Sequence, residues 1–175
     1  YDPLDIPRPE LDFDNGIGGF GSGGEYIIFL EKGESTPMPW CNVMANECFG
    51  AIVSERGGGY TWHENSRENK LTPWQDSPVT DPQSEFMLIT DMDSGDTFSP
   101  FAGPLQKGRV MVEHGYGYSS FVTGDGGLRT ELTVFVHSER PVKYSLLQIK
   151  NPGEHRRRIR IMYGVEWCLG DIPHP

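Results

Sequence analysis

Leu128-Arg129-Thr130-Glu131-Leu132-Thr133-Val134-Phe135-Val136 sets Leu128, Thr130, Leu132, Val134 and Val136 on one face of an extended chain. That two-residue period is the signature of a half-buried strand. Pro141 turns the chain into a second extended run, 142–150, and Asn151-Pro152-Gly153-Glu154 turns it into a third. In the third run Ile159, Ile161, Tyr163, Val165 and Trp167 alternate with Arg158, Arg160, Met162, Gly164 and Glu166. Proximity predicts that the three form a meander. Inward alternation then predicts a core that includes Leu132, Val134, Leu146, Ile159, Ile161, Tyr163 and Val165. Weaker runs predict strands at 25–30, 48–54, 85–90, 109–114 and 117–122, with turns at Asp93-Ser94-Gly95-Asp96 and Gly124-Asp125-Gly126-Gly127. No segment offers three helical turns with a cap, so the fold class is all-β, an antiparallel β-sandwich with long loops.

Composition agrees. The 175 residues correspond to one domain, and the 22 Gly and 14 Pro imply frequent turns between short strands. A net charge of −10 argues against nucleic acid, because no extended basic track would neutralise phosphates. The one basic run, Arg156-Arg157-Arg158 with Arg160, reads as the exposed edge of a strand. Cys41, Cys48 and Cys168 are odd in number and fit no zinc spacing, which suits a reduced, cytoplasmic setting. No window approaches 18 consecutive apolar residues. A chain that starts at Tyr1 and stops just after an aromatic strand reads as an excerpt from a longer protein.

The stretch 60–82, Tyr-Thr-Trp-His-Glu-Asn-Ser-Arg-Glu-Asn-Lys-Leu-Thr-Pro-Trp-Gln-Asp-Ser-Pro-Val-Thr-Asp-Pro, has neither a helical nor a strand period. Pro73, Pro78 and Pro82 bar a regular ladder through it. A long loop rich in stacking and hydrogen-bonding groups is commonly functional. Trp62 and Trp74 offer apolar ring faces, and Asn65, Arg67 and Asn69 offer planar polar groups. That combination suits a sugar, with its apolar ring face and paired hydroxyls. The opposing reading makes the loop a packed cover, with both indoles as plugs and Arg67 paired to Glu68 or Asp76. His114-Gly115-Tyr116-Gly117-Tyr118 has the same two readings, an aromatic corner or a ligand contact through His114 and Tyr116.

Other motifs do not carry chemistry. Gly16-Ile17-Gly18-Gly19-Phe20-Gly21 satisfies G-x-G-x-x-G, but a strand follows it where a dinucleotide site needs a helix. Its glycines are read as allowing close passage over a neighbouring surface. Asp91-Met92-Asp93-Ser94-Gly95-Asp96 resembles a calcium loop, yet Ala102 stands where the closing Glu belongs, and a hairpin turn explains it better. Five scattered histidines imply no metal site. Glycosidic chemistry needs a carboxylic acid across a cleft from a nucleophile or base. Glu64, Glu68, Asp76 and Asp81 are present in the loop, but nothing in the sequence pairs them.

Phe13-Asp14-Asn15-Gly16-Ile17-Gly18-Gly19-Phe20, Glu25-Tyr26-Ile27-Ile28 and Thr36-Pro37-Met38-Pro39-Trp40-Cys41-Asn42-Val43 resemble the opening of glycoside hydrolase family 94. Phe49-Gly50, Val53-Ser54-Glu55, the run 59–81, His114 to Tyr118, Pro141-Val142-Lys143 and Val165-Glu166-Trp167-Cys168-Leu169-Gly170 continue the match in order. Asn65-Ser66-Arg67 and Leu71-Thr72-Pro73-Trp74 resemble the phosphorylase-like domain of cyclic β-1,2-glucan synthases, with cellobiose and chitobiose phosphorylases as more distant relatives. Two departures stand out: Gln75-Asp76-Ser77-Pro78 replaces an expected Ser-Asn-Asp-Pro, and Cys41 replaces an aliphatic.

The resemblance implies that 1–175 are part of one N-terminal β-sandwich of the galactose-mutarotase-like supersandwich type, incomplete at its C-terminus. A helical (α/α)6 barrel holding the catalytic Asp and the phosphate site is implied downstream. It implies a β-glucan or glucosyl saccharide as substrate, inorganic phosphate as co-substrate and no other cofactor. It further implies a cytoplasmic location, on the cytoplasmic side of an inner membrane if the protein is membrane-borne, and a possible homodimer. The implied inverting phosphorylase uses anionic phosphate as nucleophile and needs one general acid. The segment itself is then accessory, with no catalytic residue. Two alternatives remain: a stand-alone carbohydrate-binding sandwich, and a mutarotase-like epimerase using His114 and Glu131.

Overall fold

The computed structural model describes residues 1–75, 77, 79–103 and 105–168. Twelve strands run among them: β1 Gly18–Phe20, β2 Tyr26–Leu30, β3 Cys41–Ala45, β4 Phe49–Ser54, β5 Gly59–His63, β6 Glu85–Asp91, β7 Thr97–Phe98, β8 Val110–Gly115, β9 Tyr118–Thr123, β10 Arg129–Val136, β11 Lys143–Lys150 and β12 Ile159–Val165. A single 3-10 turn, Asp125–Gly127, is the helical content of the described residues. Every strand pairing is antiparallel, in a six-stranded sheet β1-β2-β8-β9-β10-β11 and two three-stranded sheets, β3-β4-β5 and β12-β6-β7.

The main core lies between the six-stranded sheet and the sheet β3-β4-β5. Ile28, Val110, Val112, Phe121, Leu132 and Val134 meet Met44, Ala51 and Val53 there, as alternation along each strand requires. The segment before β1 crosses the opposite face of the large sheet, where Ile6 packs on Phe29 and Val122. Ile89, Phe98 and Leu128 form a third cluster under β6 and β7. The glycine run behaves as its composition suggests. A Cβ on Gly18 would lie 2.5 Å from the Ile27 carbonyl oxygen, and one on Gly19 would lie 2.7 Å from that of Asp12. Asp91 opens a hairpin turn, its carboxylate accepting the N–H groups of Asp93 and Ser94.

The meander is corrected in its last strand. β10 and β11 pair as expected, but β12 leaves them and pairs with β6, setting Ile161 opposite Ile89 and Tyr163 opposite Met87. Arg157 diverts the chain. Its guanidinium forms a buried ion pair with Asp91, Nε donating at 2.8 Å, and donates to the Gly126 carbonyl at 2.8 Å. The expected core is corrected with it. Leu132 and Val134 are buried and Val165 is half-buried, but Ile159, Ile161, Tyr163 and Leu146 are exposed, Ile161 by 51% and Leu146 by 53%. Leu146 pairs with Thr133 on the outer face of the sheet, one residue out of phase with Leu132 and Val134. Ile161 and Tyr163 share a side with buried Ile89 and Met87, but β12 is an edge strand and nothing in the described chain covers it.

Candidate functional site

The stretch 60–82 is more ordered than its prolines suggest. Its first residues are β5, which pairs with β4, and a bridge between Trp62 and Lys70 closes the rest into a hairpin. Alternation then divides the side chains. Thr61 points inward and is buried, while Tyr60 and Trp62 stand on the outer face of the sheet. The tip is held by its own backbone. His63 N–H donates to the Asn69 carbonyl at 3.1 Å, Asn69 N–H donates to Asn65 at 3.0 Å, and the Asn65 Oδ1 accepts from Arg67 at 2.9 Å and Glu68 at 3.0 Å. This Asx turn is the reason for an Asn at that position.

The two indoles are brought together, through a third ring. Trp62 and Trp74 each lie 5.2 Å from Tyr60 between ring centroids, and the Lys70 ammonium sits 5.8 Å from the Tyr60 centroid. Both indoles are half-buried. Arg67 is at the hairpin tip, its side chain 89% exposed, with Glu68 at 3.2 Å as ion-pair partner. An exposed pair of this kind contributes little to stability and leaves the guanidinium accessible.

His114 and Tyr116 lie elsewhere, on the β8–β9 hairpin. Tyr116 occupies the tip and is almost fully exposed. The His114 imidazole is interior, with Nε2 3.0 Å from the Trp40 carbonyl oxygen and Nδ1 2.9 Å from the Ser119 hydroxyl. A carbonyl only accepts, so Nε2 carries the proton and Nδ1 accepts from Ser119. Burial pushes the imidazole below its ordinary pKa despite the Trp40 contact, so it is neutral at pH 7.

Among the described residues, the loop's acids differ in burial and in partners. Glu64 and Glu68 are exposed, and Asp76 falls outside the described residues. Asp81 is buried against the Ser54 hydroxyl, and nearby Glu55 accepts from Thr36 Oγ1 at 2.5 Å and Trp40 N–H at 2.8 Å. Burial pushes both carboxyls up. Asp81 thus ties the end of the stretch to β4, and Glu55 ties down the segment 36–40.

One constellation was missed from the sequence. Glu85 on β6 takes the Lys143 ammonium from β11, the Tyr163 hydroxyl from β12 at 2.5 Å and the Thr61 hydroxyl from β5 at 2.7 Å. A single carboxylate thus ties all three sheets. Lys143 and Glu85 stand 58 positions apart, so no local signal in the sequence links them.

Residues 24–175 match the family described as Glycosyl hydrolase 94, supersandwich domain. The chain belongs to glycoside hydrolase family 94. It is 39% identical over 171 residues to the cyclic beta-(1,2)-glucan synthase NdvB of Rhizobium meliloti, covering 96% of this chain and 6% of that protein. The N,N'-diacetylchitobiose phosphorylases of Vibrio proteolyticus and Vibrio furnissii are 28% and 26% identical over 152 residues, 85% of this chain and 19% of each enzyme. The chain therefore spans a fifth or less of the length of these relatives. It is the supersandwich domain of a family 94 protein, and its antiparallel all-β architecture agrees.

Proposed function

We propose that this domain is the accessory, carbohydrate-associated part of a longer enzyme that phosphorolyses or transfers β-linked glucosyl units. The observation that carries the reading is the hairpin 59–70. It sets aromatic rings on a sheet face and projects Arg67 from a self-bonded tip. Loops ordered before binding lose less entropy on binding. Trp62 and Trp74 supply apolar surface, Asn65, Arg67 and Asn69 edge the sugar cleft, and Tyr116, exposed at the tip of the β8–β9 hairpin, is a second point of contact.

Phosphorolysis itself belongs to a helical barrel in the same protein. There an oxygen of inorganic phosphate attacks the anomeric carbon while one general acid protonates the departing glycosidic oxygen. No cofactor beyond that phosphate is required. The exposed apolar residues of β11 and β12 are the surface on which further parts of the protein, or a second copy, would pack. Residence in the cytoplasm, or on the cytoplasmic side of an inner membrane, rests on the family resemblance alone.

In the full-length enzyme Arg67→Ala is expected to lower kcat/KM by tenfold or more, about 1.4 kcal/mol, with an unchanged melting temperature. A fall in melting temperature with unaltered kinetics per folded molecule would assign Arg67 to the fold instead. A second reading, a carbohydrate-binding module in its own right, is favoured by the Tyr60, Trp62 and Trp74 cluster on the outer sheet face. Glucan binding by the 175-residue chain, with turnover by the full-length enzyme unaffected by Trp62→Ala or Arg67→Ala, distinguishes it.

A further inference from the structure

Three glycines of this fold stand directly across a strand pair from an aromatic ring: Gly50 opposite Trp62, Gly115 opposite Tyr118, and Gly164 opposite Phe86. In each pair the ring occupies the space a side chain would take, the arrangement by which aromatic residues offset the weakness of a strand glycine. Tyr118 is further committed, its hydroxyl donating to the Glu113 carboxylate. Trp62 is not. Its indole N–H has no acceptor among the described residues, and no fully buried polar atom there lacks a partner, so this N–H is at least partly accessible.

A Cβ on Gly50 would lie 2.2 Å from Cζ2, 2.5 Å from Cε2 and 2.8 Å from Cη2 of Trp62. Three neighbouring ring atoms at such similar distances mean that the six-membered ring of the indole lies over the Gly50 backbone. The next residue in that row is Ala45, which pairs with Gly50 and is exposed. The floor beside Trp62 is therefore low as well as flat.

We propose that Gly50 is the positioning residue of a sugar platform, and that by letting the Trp62 indole lie flat it selects gluco-configured, β-linked pyranoses. This rests on the reading of Trp62 as a sugar contact. A pyranose whose hydroxyls are all equatorial carries only axial C–H bonds on both ring faces, and such a face stacks on a flat indole. An axial hydroxyl sets a polar group into that face. The indole N–H is left to donate to a hydroxyl at the ring edge. Any side chain at position 50 tips the indole away from the sheet and removes the flat floor.

The purified chain is titrated calorimetrically with a linear β-linked glucose oligosaccharide and with its galacto-configured counterpart. Wild type is expected to bind the gluco ligand at least tenfold more tightly. Trp62→Ala abolishes binding, and Gly50→Ala loses both the preference and tenfold or more in affinity, with an altered near-ultraviolet dichroism of the indole. If Trp62→Ala binds like wild type, or wild type binds nothing, the sugar reading of the loop fails and this proposal with it. If Trp62→Ala abolishes binding while Gly50→Ala keeps affinity and preference, the sugar reading stands and Gly50 is not its determinant. Should Gly50→Ala not fold, Ala45→Leu raises a side chain from the exposed end of the same floor and is expected to give the same loss; unchanged binding in it overturns the proposal.

Discussion

Lys143→Met is expected to destabilise the chain by about 3–5 kcal/mol, because it leaves the Glu85 carboxylate buried without its counter-ion. Both side chains are about 15% exposed, and Glu85 also receives the Tyr163 and Thr61 hydroxyls, so one substitution loosens all three sheets. Burial pushes the Glu85 carboxyl up, but Lys143 and the hydroxyls outweigh it and hold the group below its ordinary pKa. Burial likewise holds Lys143 below its ordinary pKa, although Glu85 pulls it back up. Since the folded pKa of Glu85 is depressed, its stabilisation is present above the unfolded value, about 4.3, and is lost as pH falls through the folded one. Urea unfolding should therefore show a fall in midpoint for Lys143→Met at pH 7 that narrows towards pH 3.5. Adding Glu85→Gln should recover a large part of the loss at pH 7. A change under about 1 kcal/mol at pH 7 would mean that the junction is not a clamp.

Arg157→Met should cost about 3 kcal/mol, for the same reason at a second site. Arg157 and Asp91 have side chains only 6% and 1% exposed, and Arg157 also lies 3.9 Å over the Tyr1 ring. Burial raises the Asp91 carboxyl, yet the Arg157 guanidinium and the backbone N–H groups of Asp93 and Ser94 bring it below its ordinary value. Its contribution is thus present above about pH 3.9 and lost below. The gap between wild type and Arg157→Met should close as pH drops below 4. A gap independent of pH would show that Arg157 acts through packing on Tyr1 rather than through Asp91.

Arg157 also shows where sequence reasoning stops. β10 was legible because both its neighbours are in place, so inward Leu132 and Val134 alternate with more exposed residues. β12 has an equally clear alternation, but a period names no partner. The partner, β6, lies some 70 residues earlier and was chosen by a buried ion pair. β3 carries no clear alternation because Asn42 points inward, donating to the carbonyls of Gly115 at 2.9 Å and Tyr118 at 2.7 Å, so a polar residue sits where alternation calls for an apolar one. β5 was hidden inside the proline-bearing stretch, although Tyr60 and Trp62 already show a two-residue step. Of the candidate site, the residue types in the loop were legible from composition. The gathering of both indoles on Tyr60, and the bare backbone of Gly50 beneath Trp62, depend on strand register, which composition does not encode.

The central claim is that this domain assists chemistry performed elsewhere in the protein. It is tested most directly by incubating the purified 175-residue chain, shown to be folded by circular dichroism, with β-linked glucose oligosaccharides and inorganic phosphate and measuring glucose 1-phosphate. No release above the buffer control is predicted. Release that disappears on substitution of a single side chain in this domain would contradict the account.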